Sequence, residues 1–164
     1  MDKAIQDALN EQINAELHSA YIYLAMSAHF AEQNLDGFSH WMRHQADEEL
    51  EHAMKLFDYV LERGGHVELK AVAGPPKKFG TPLQIFETAL AHEKKISAMI
   101  HALYDLARKK KDFATENQLN WFVTEQVEEE DNAGKAVERL KLAGDSTAAL
   151  LMLDHQFGKR SEED

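Results

Sequence analysis

Glu49 and His52 form a Glu-x-x-His pair in the middle of a long predicted helix. Residues three apart on a helix share one face, so the two side chains project together, as two ligands of one metal ion would. Their stripe is apolar at both ends and should face a core: Phe38, Met42, Gln45, Glu49, His52, Leu56 and Tyr59. An unpartnered buried carboxylate costs several kcal/mol. Either this helix turns a different face to the core than the stripe predicts, or a cation lies in the core beside these two residues.

The same interruption of an apolar stripe occurs in three other predicted helices. The polar residues are Glu16 in the first helix, Glu93 in the third, and Gln126 with Glu129 in the fourth. Counted from the first turn, the levels of Glu16 and Glu49 differ by roughly 9 Å at about 1.5 Å per residue. A single Glu on a helix is usually solvated, and a single Glu-x-x-His pair is a weak motif. The coincidence across four helices favours one shared buried site.

Four carboxylates and one imidazole in a low-dielectric core would repel one another unless a cation compensated. Oxygen-rich ligation with one nitrogen suits Fe(II), Mn(II) or Zn(II) better than softer metals. Two metal ions bridged by a carboxylate would account for the number of ligands. The residues therefore predict a divalent-metal centre at mid-bundle and leave the identity of the metal open.

Helical periodicity predicts an all-α fold, an antiparallel four-helix bundle with one long crossover loop and a short fifth C-terminal helix. The predicted helices span about 2–33, 38–63, 82–110, 113–143 and 146–157, in a single domain over residues 1–164. All 3 Pro lie between Pro75 and Pro82. The crossover, about 64–81, can reach some 55 Å when extended, farther than the roughly 39 Å of the second helix. It can therefore cross the whole bundle.

The predicted fifth helix is strongly apolar and follows a bundle that is already closed. We expect it to bury against another subunit, with folding back onto its own bundle as the alternative. The tail over residues 158–164 is rich in charge and is predicted to be frayed.

The composition excludes several classes of protein. A formal net charge of −11 argues against nucleic-acid binding, and the basic run over residues 108–111 is interpreted as a helix end. The chain has no Cys, which excludes disulfides and thiolate metal sites. No segment approaches the roughly 18 apolar residues of a membrane span, and no signal-peptide core follows Met1. We therefore predict a cytoplasmic protein with no membrane or nucleic-acid partner.

Four segments together carry a specific resemblance to a known family. They are residues 9–16 (LNEQINAE), 48–52 (EELEH), 92–93 (HE) and 120–130 (NWFVTEQVEEE). Over nearly the whole chain, the sequence resembles the non-haem ferritins of bacteria and archaea. The resemblance implies a ferritin-like bundle that acts as a ferroxidase.

The resemblance also implies a diiron centre within one subunit. By this match, Glu16, Glu49 and His52 hold the first iron, and Glu49 bridges to the second. The remaining implied residues of the pair are two ligands of the second iron, a neighbouring amide and a nearby tyrosine: Glu93, Glu129, Gln126 and Tyr23. A third iron site matches Glu48, Glu125, Glu128 and Glu129. The residues alone would have left Glu48, Glu125 and Glu128 on the surface.

Departures from related families narrow the resemblance. Bacterioferritins carry a second Glu-x-x-His on the fourth helix, where this chain has Gln126 and Glu129. They also carry a haem-ligating Met directly after the bridging Glu, where this chain has Leu50. Rubrerythrins add cysteine-ligated iron, which a chain without Cys cannot hold. The resemblance therefore implies iron and no haem.

The function implied by the resemblance is iron storage and detoxification. Fe(II) would be oxidised by dioxygen or peroxide, and Fe(III) mineral would be kept inside a homo-oligomeric cage of about 24 subunits. A reductase of a class the sequence does not identify would return electrons for iron release. Two alternatives are a diiron oxidase or oxygenase acting on an organic substrate, and a non-catalytic bundle around a structural metal.

Overall fold

Polar capping residues set where the helices begin. Asp2 accepts hydrogen bonds from the backbone N–H groups of Ala4 and Ile5 and so begins the first helix. Thr81 and Gln84 form a reciprocal capping box ahead of the third helix, which has Pro82 in its first turn. In a computed structural model that describes residues 1–160, the helices are α1 (Lys3–Glu32), α2 (Asp36–Glu62), α3 (Pro82–Lys110), α4 (Phe113–Ala143) and α5 (Thr147–Phe157).

The four long helices form two antiparallel hairpins that pack together as a bundle. Helix α1 packs mainly on α2, and α3 mainly on α4. Asn34 makes the first hairpin turn in the left-handed region, at φ 60°, which Asn tolerates better than most residues. The all-α fold class, with its short fifth helix, is confirmed. Helix α2 begins at Asp36, two residues before the start predicted for it, because Asp36 and Gly37 already belong to its first turn.

The core consists of two separate apolar clusters, one towards each end of the bundle. One cluster contains Phe30, Phe38 and Phe86 in mutual ring contact. The other is mainly aliphatic and contains Leu9 and Ile100. All seven residues of the α2 stripe are buried, and so are the polar residues found in the apolar stripes of the other three long helices: Glu16, Glu93, Gln126 and Glu129. The polar members of those stripes fall between the two clusters, so the bundle has a polar layer at mid-height.

The crossover segment runs along α1 and is held there by side-chain amides. Gln6 accepts from the N–H of His66 at 2.8 Å. Asn10 donates to the carbonyl of His66 at 3.0 Å and accepts from the N–H of Glu68 at 3.0 Å. Near the other end of α1, the ring of Phe79 packs on His29. Backbone groups that no helix or sheet would satisfy therefore find partners on the face of α1.

Helix α5 folds back onto its own bundle through one face. Phe157 is buried in the aromatic cluster, and Asp154 accepts a hydrogen bond from the N–H of Phe38 at 2.8 Å. Its other face leaves Leu151 and Met152 exposed. One face of α5 therefore folds back onto its own bundle, which was the less favoured alternative from the sequence. The second face keeps an apolar surface that is available to a neighbouring subunit.

The tail after α5 is only partly as predicted. Arg160 is not frayed, because its guanidinium contacts Gln45, Glu48 and the ring of Trp41. Residues 161–164 of the predicted frayed segment lie outside the described residues. Within residues 1–160, no helix is both long enough and apolar enough to cross a membrane.

Gly37 should be essential for docking α5, because a Cβ at this position would lie 1.6 Å from the backbone oxygen of Asp154. We expect Gly37→Ala to force α5 away and to lower the stability of the bundle by about 1–3 kcal/mol, the usual cost of overpacking. Thermal unfolding followed by circular dichroism measures the change.

Gly134→Ala is the matched control, since a Cβ there meets nothing within 4 Å in the middle of α4. It should be neutral or should stabilise by about 0.5–1 kcal/mol, as Gly→Ala does inside helices. Equal melting temperatures for the two variants would contradict the docking of α5 described here.

Candidate metal centre

The polar layer at mid-bundle is built by one or two side chains from each long helix. All six are buried, with exposed fractions between 0% and 4%: Glu16, Glu49, His52, Glu93, Gln126 and Glu129. They face the layer because each occupies a core position of its apolar stripe, so packing of the apolar clusters above and below fixes the rotation of each helix.

Glu16, Glu49 and His52 come together as a group able to hold one metal ion. Their ligand atoms all lie within 4.8 Å of one another. His52 Nδ1 lies 3.6 Å from Glu49 Oε2, as the spacing of three residues on α2 predicts. Gln12 donates to Glu16 Oε1 at 2.8 Å and orients this carboxylate from one turn earlier on α1. Two oxygens and one imidazole nitrogen can therefore converge on a cation.

The Glu49 carboxylate is buried among other carboxylates. Within residues 1–160, neither of its carboxylate oxygens has a hydrogen-bond partner, and Glu16 Oε2 is likewise unpartnered. Burial, together with the charges of Glu93 and Glu16, raises the pKa of Glu49 well above its usual value. Buried oxygens of this kind are rare in native proteins unless something binds them. The donor set therefore fits a divalent cation.

Glu93 lies opposite and is held by two donors. The Tyr23 hydroxyl donates to Glu93 Oε1, and Gln126 Nε2 donates to Glu93 Oε2 at 3.2 Å. Burial raises the pKa of Glu93, and these two hydrogen bonds oppose the rise. Burial and the charge of Glu93 raise the pKa of Tyr23 well above its usual value, so this phenol stays protonated and remains a donor.

Glu129 completes the layer and has its own amide donor. Gln45 Nε2 donates to Glu129 Oε2 at 2.8 Å. Burial, with the charges of Glu93 and Glu48, raises the pKa of Glu129 to about 8, although the bond from Gln45 lowers it. The metal-free layer therefore carries protons at neutral pH that a metal ion would displace.

A second metal-competent group adjoins the first. It consists of His52, Glu125 and Glu129, again with ligand atoms within 4.8 Å of one another. Glu125 is half-buried and lies 3.9 Å from His52 Nε2. Of the remaining residues matched to a third iron site, Glu48 is half-buried, whereas Glu128 is exposed. These two do not join the group, so the residues matched to a third iron site do not gather as one cluster.

Aromatic rings close one side of the centre. His52 packs edge-on against Trp121 and Phe122, with ring centroids 5.3 and 6.1 Å away. Lys55 places its ammonium 3.5 Å from the centroid of Trp121. These contacts fix the plane of the His52 imidazole and shield it from solvent.

The chain is similar to known proteins over almost its entire length. A family model described as a ferritin-like domain matches residues 6–143. The chain belongs to the ferritin family. It is 42% identical over 160 residues to a bacterial non-heme ferritin of Bacteroides fragilis, covering 98% of this chain and 99% of that protein. It is 38% identical to a bacterial non-heme ferritin of Staphylococcus saprophyticus, covering 98% of this chain and 96% of that protein.

Solved ferritin structures share the fold closely. An open pore ferritin of the hyperthermophilic archaeon Archaeoglobus fulgidus superposes with a TM-score of 0.95 at 50% identity, covering 96% of this chain and 98% of that chain. The resemblance stated from the sequence is thus confirmed. As a ferritin, this chain is an iron-storage protein with ferroxidase activity, and neither the organic-substrate oxidase nor the structural-metal alternative is favoured.

Sequence reasoning overlooked three groups that support the centre. Gln45 lies on the α2 stripe, and its core position was the signal that could have found it. The side chain of Gln12 is buried beside the carboxylate of Glu16, but Gln12 lies off the apolar stripe of α1. Arg160 lies in a segment with no periodicity, so no pattern linked it to the centre.

The raised pKa of Glu129 predicts how the metal-free protein responds to pH. The folded state keeps a proton on Glu129 up to about pH 8, whereas the unfolded chain releases it near its usual value of 4.5. Stability should therefore fall as pH rises from about 5 to 8, by up to about 1.4 kcal/mol per pH unit from this group. Urea unfolding of metal-free protein at several pH values measures the slope.

Glu129→Gln should reduce this slope, because an amide does not titrate, and the part that remains comes from Glu49 and Glu93, whose pKa values are also raised. Glu128→Gln removes an exposed neighbouring carboxylate and should keep the wild-type slope. A Glu129→Gln protein that loses stability with pH as steeply as the wild type would contradict the assignment.

Proposed function

We propose that the mid-bundle layer is an intrasubunit diiron ferroxidase centre. Glu16, Glu49 and His52 hold the first iron, and Glu93 and Glu129 hold the second, with Glu49 bridging. The single observation that carries the proposal is the pair of unpartnered Glu49 oxygens, buried between the other carboxylates. A carboxylate with both oxygens free can offer one to each of two cations. Gln126 and Tyr23 position Glu93 through their hydrogen bonds.

Fe(II) is the substrate of this centre. Two Fe(II) ions each lose one electron, and dioxygen or peroxide accepts the pair. Binding displaces the protons that burial keeps on the carboxyl groups of the layer. The chain supplies ligand geometry and negative charge that favours Fe(III) over Fe(II), and the Tyr23 hydroxyl keeps Glu93 oriented.

A third iron site adjoins the pair in this proposal. Glu125 and Glu129 contribute to it beside His52, which the ligand-atom distances support. Glu48 and Glu128 join it when their side chains move inward. This site gives Fe(III) a path out of the buried layer towards the more exposed acidic residues on α4.

Storage requires an enclosed volume, which one bundle lacks. We propose a homo-oligomeric cage of about 24 copies in closed symmetry, formed by the single domain over residues 1–164. The exposed apolar face of α5, with Leu151 and Met152, supports association. The proposed location is the cytoplasm, and a separate reductase returns electrons for iron release. No haem, nucleic acid or membrane takes part.

An anaerobic Fe(II) titration followed by air tests this function. Absorbance at the Fe(III) bands gives the rate, and iron per assembled particle gives the capacity. Soluble iron far beyond three ions per chain would support storage in a cage. Fast oxidation that saturates at a few ions per chain would instead support a diiron enzyme without storage, and oxidation no faster than in buffer would refute the centre.

Glu49→Ala should abolish fast oxidation, because it removes the bridge between the two irons. We expect the initial rate to fall by at least about 100-fold. That is the upper end of the loss that follows when a residue that only supports a metal ligand is removed, and Glu49 is itself a proposed ligand. Stopped-flow absorbance at two Fe(II) per chain measures it, and circular dichroism checks that helix content is retained.

Glu51→Ala is the matched control, since Glu51 lies two residues further along α2 and is exposed. It should oxidise Fe(II) at the wild-type rate. Unchanged initial rates in Glu49→Ala would remove Glu49 from the centre.

A further inference from the structure

Arg160 lies against the acidic layer instead of in solvent. Its Nη2 donates to Glu48 Oε2 at 3.1 Å, and its Nη1 donates to Gln45 Oε1. Its guanidinium carbon lies 4.7 Å from the centroid of the Trp41 ring. An ion pair, a hydrogen bond and a stacking contact therefore fix one side chain, which is only 13% exposed.

The contact with Gln45 connects Arg160 to the metal centre. A guanidinium has only donors, so the amide of Gln45 must turn its oxygen to Arg160. The nitrogen of the same amide then faces Glu129 and donates to it at 2.8 Å. Arg160 is thus two hydrogen bonds away from a proposed iron ligand and selects the orientation of the amide between them.

The contact with Glu48 places a permanent cation on a carboxylate of the proposed third iron site. An arginine stays protonated at any relevant pH, so deprotonation of Arg160 cannot break its ion pair with Glu48. Glu48 Oε2 is the oxygen that Arg160 contacts, and it also lies 3.3 Å from His44 Nδ1. A divalent cation binding this carboxylate would be repelled by a guanidinium held at hydrogen-bond distance.

A cleft beside Arg160 is able to receive the guanidinium when it leaves Glu48. Arg160 and Glu128 line one cleft of about 260 Å³ between α4 and the end of α5. Glu128, the most exposed residue matched to the third site, is therefore within the same opening as the cation that covers Glu48. Movement of Arg160 across this cleft would uncover Glu48 without unfolding any helix.

We propose that Arg160 is an intramolecular counter-cation that occupies Glu48 and must leave it before a metal ion binds the third site. It acts as a positioning residue that opposes this site and leaves the buried pair formed. The inference rests on the third site of the proposed function. Its consequence is that the third ion competes with Arg160 for Glu48, whereas the first two ions are affected by Arg160 only indirectly, through Gln45 and Glu129.

A Co(II) titration of the whole assembled protein tests the inference without redox chemistry. Calorimetry gives the number of ions per chain and the Kd of the weakest of three classes. Arg160→Gln should tighten that class by about five- to tenfold, the size expected from removing a half-buried charged competitor, and should change the two tighter classes by less than about twofold, because Arg160 reaches their ligands only through Gln45. A merely structural role for Arg160 would weaken binding or lower the melting temperature and would not tighten one class.

Lys159→Gln is the matched control, because it removes the same charge from the adjacent, exposed position. It should change the weakest Kd by less than about twofold, as a screened surface charge does. In a Glu48→Gln background, Arg160→Gln should have no further effect. A third class that Arg160→Gln leaves unchanged would overturn the inference and keep the proposed function. The absence of a third class from every variant would overturn both the inference and the proposed third site.

Trp41 offers a second measurement that needs no change at Arg160. The chain has 2 Trp, so the emission of the wild type minus that of Trp41→Phe reports on Trp41, while Trp121 keeps its contact with His52. Zn(II) binding to the third class should change the Trp41 emission as the guanidinium leaves its ring, whereas the first two ions should not. Unchanged emission on binding of the third ion would refute the displacement of Arg160.

Discussion

The mutual repulsion of carboxylates buried at one level of the bundle is the constraint on which the rest of the structure depends. Glu16, Glu49, Glu93 and Glu129 lie between two apolar clusters, where water cannot screen them. Protons offset this repulsion in the metal-free chain, as the pKa of Glu129, about 8, shows. A divalent cation offsets it more completely, so the energy that burial costs becomes affinity for the substrate.

The packing of the two apolar clusters offsets the free energy that burial of the carboxylates costs. Each cluster joins all four long helices, so no helix can rotate to release its carboxylate to solvent without exposing aromatic or aliphatic side chains. Amide donors then fix the carboxylates in place: Gln12 on Glu16, Gln126 on Glu93 and Gln45 on Glu129. Of these four carboxylates, Glu49 alone receives no such donor within the described chain, which leaves both of its oxygens available for the proposed bridging role.

Periodicity sufficed to predict the helices and the polar side chains that are buried at mid-bundle, because both depend on which face of a helix is apolar. The stripes place Glu16, Glu49, His52, Glu93, Gln126 and Glu129 in the core, and all are buried. Periodicity did not predict contacts that depend on tertiary packing between elements. The docking of α5 through Phe157 and the position of Arg160 follow from the path of the chain after α4, which carries no periodic signal. Glu48, Glu125 and Glu128 lie at the edge of the layer, where burial changes within one turn and a stripe cannot decide it.

The path of the chain after α4 has a further consequence, since α5 connects two regions with different roles. Its outer face exposes Leu151 and Met152, and its inner face inserts Phe157 between Phe38 and Trp41. Arg160 follows three residues after Phe157, so the aromatic anchor sets the reach of the guanidinium towards the acidic layer. A neighbour that packs on the outer face would therefore hold α5 in place and would leave the Arg160 side chain, which lies beyond the end of α5, free to move. Through this short helix the apolar surface available for association and the edge of the metal centre are mechanically connected.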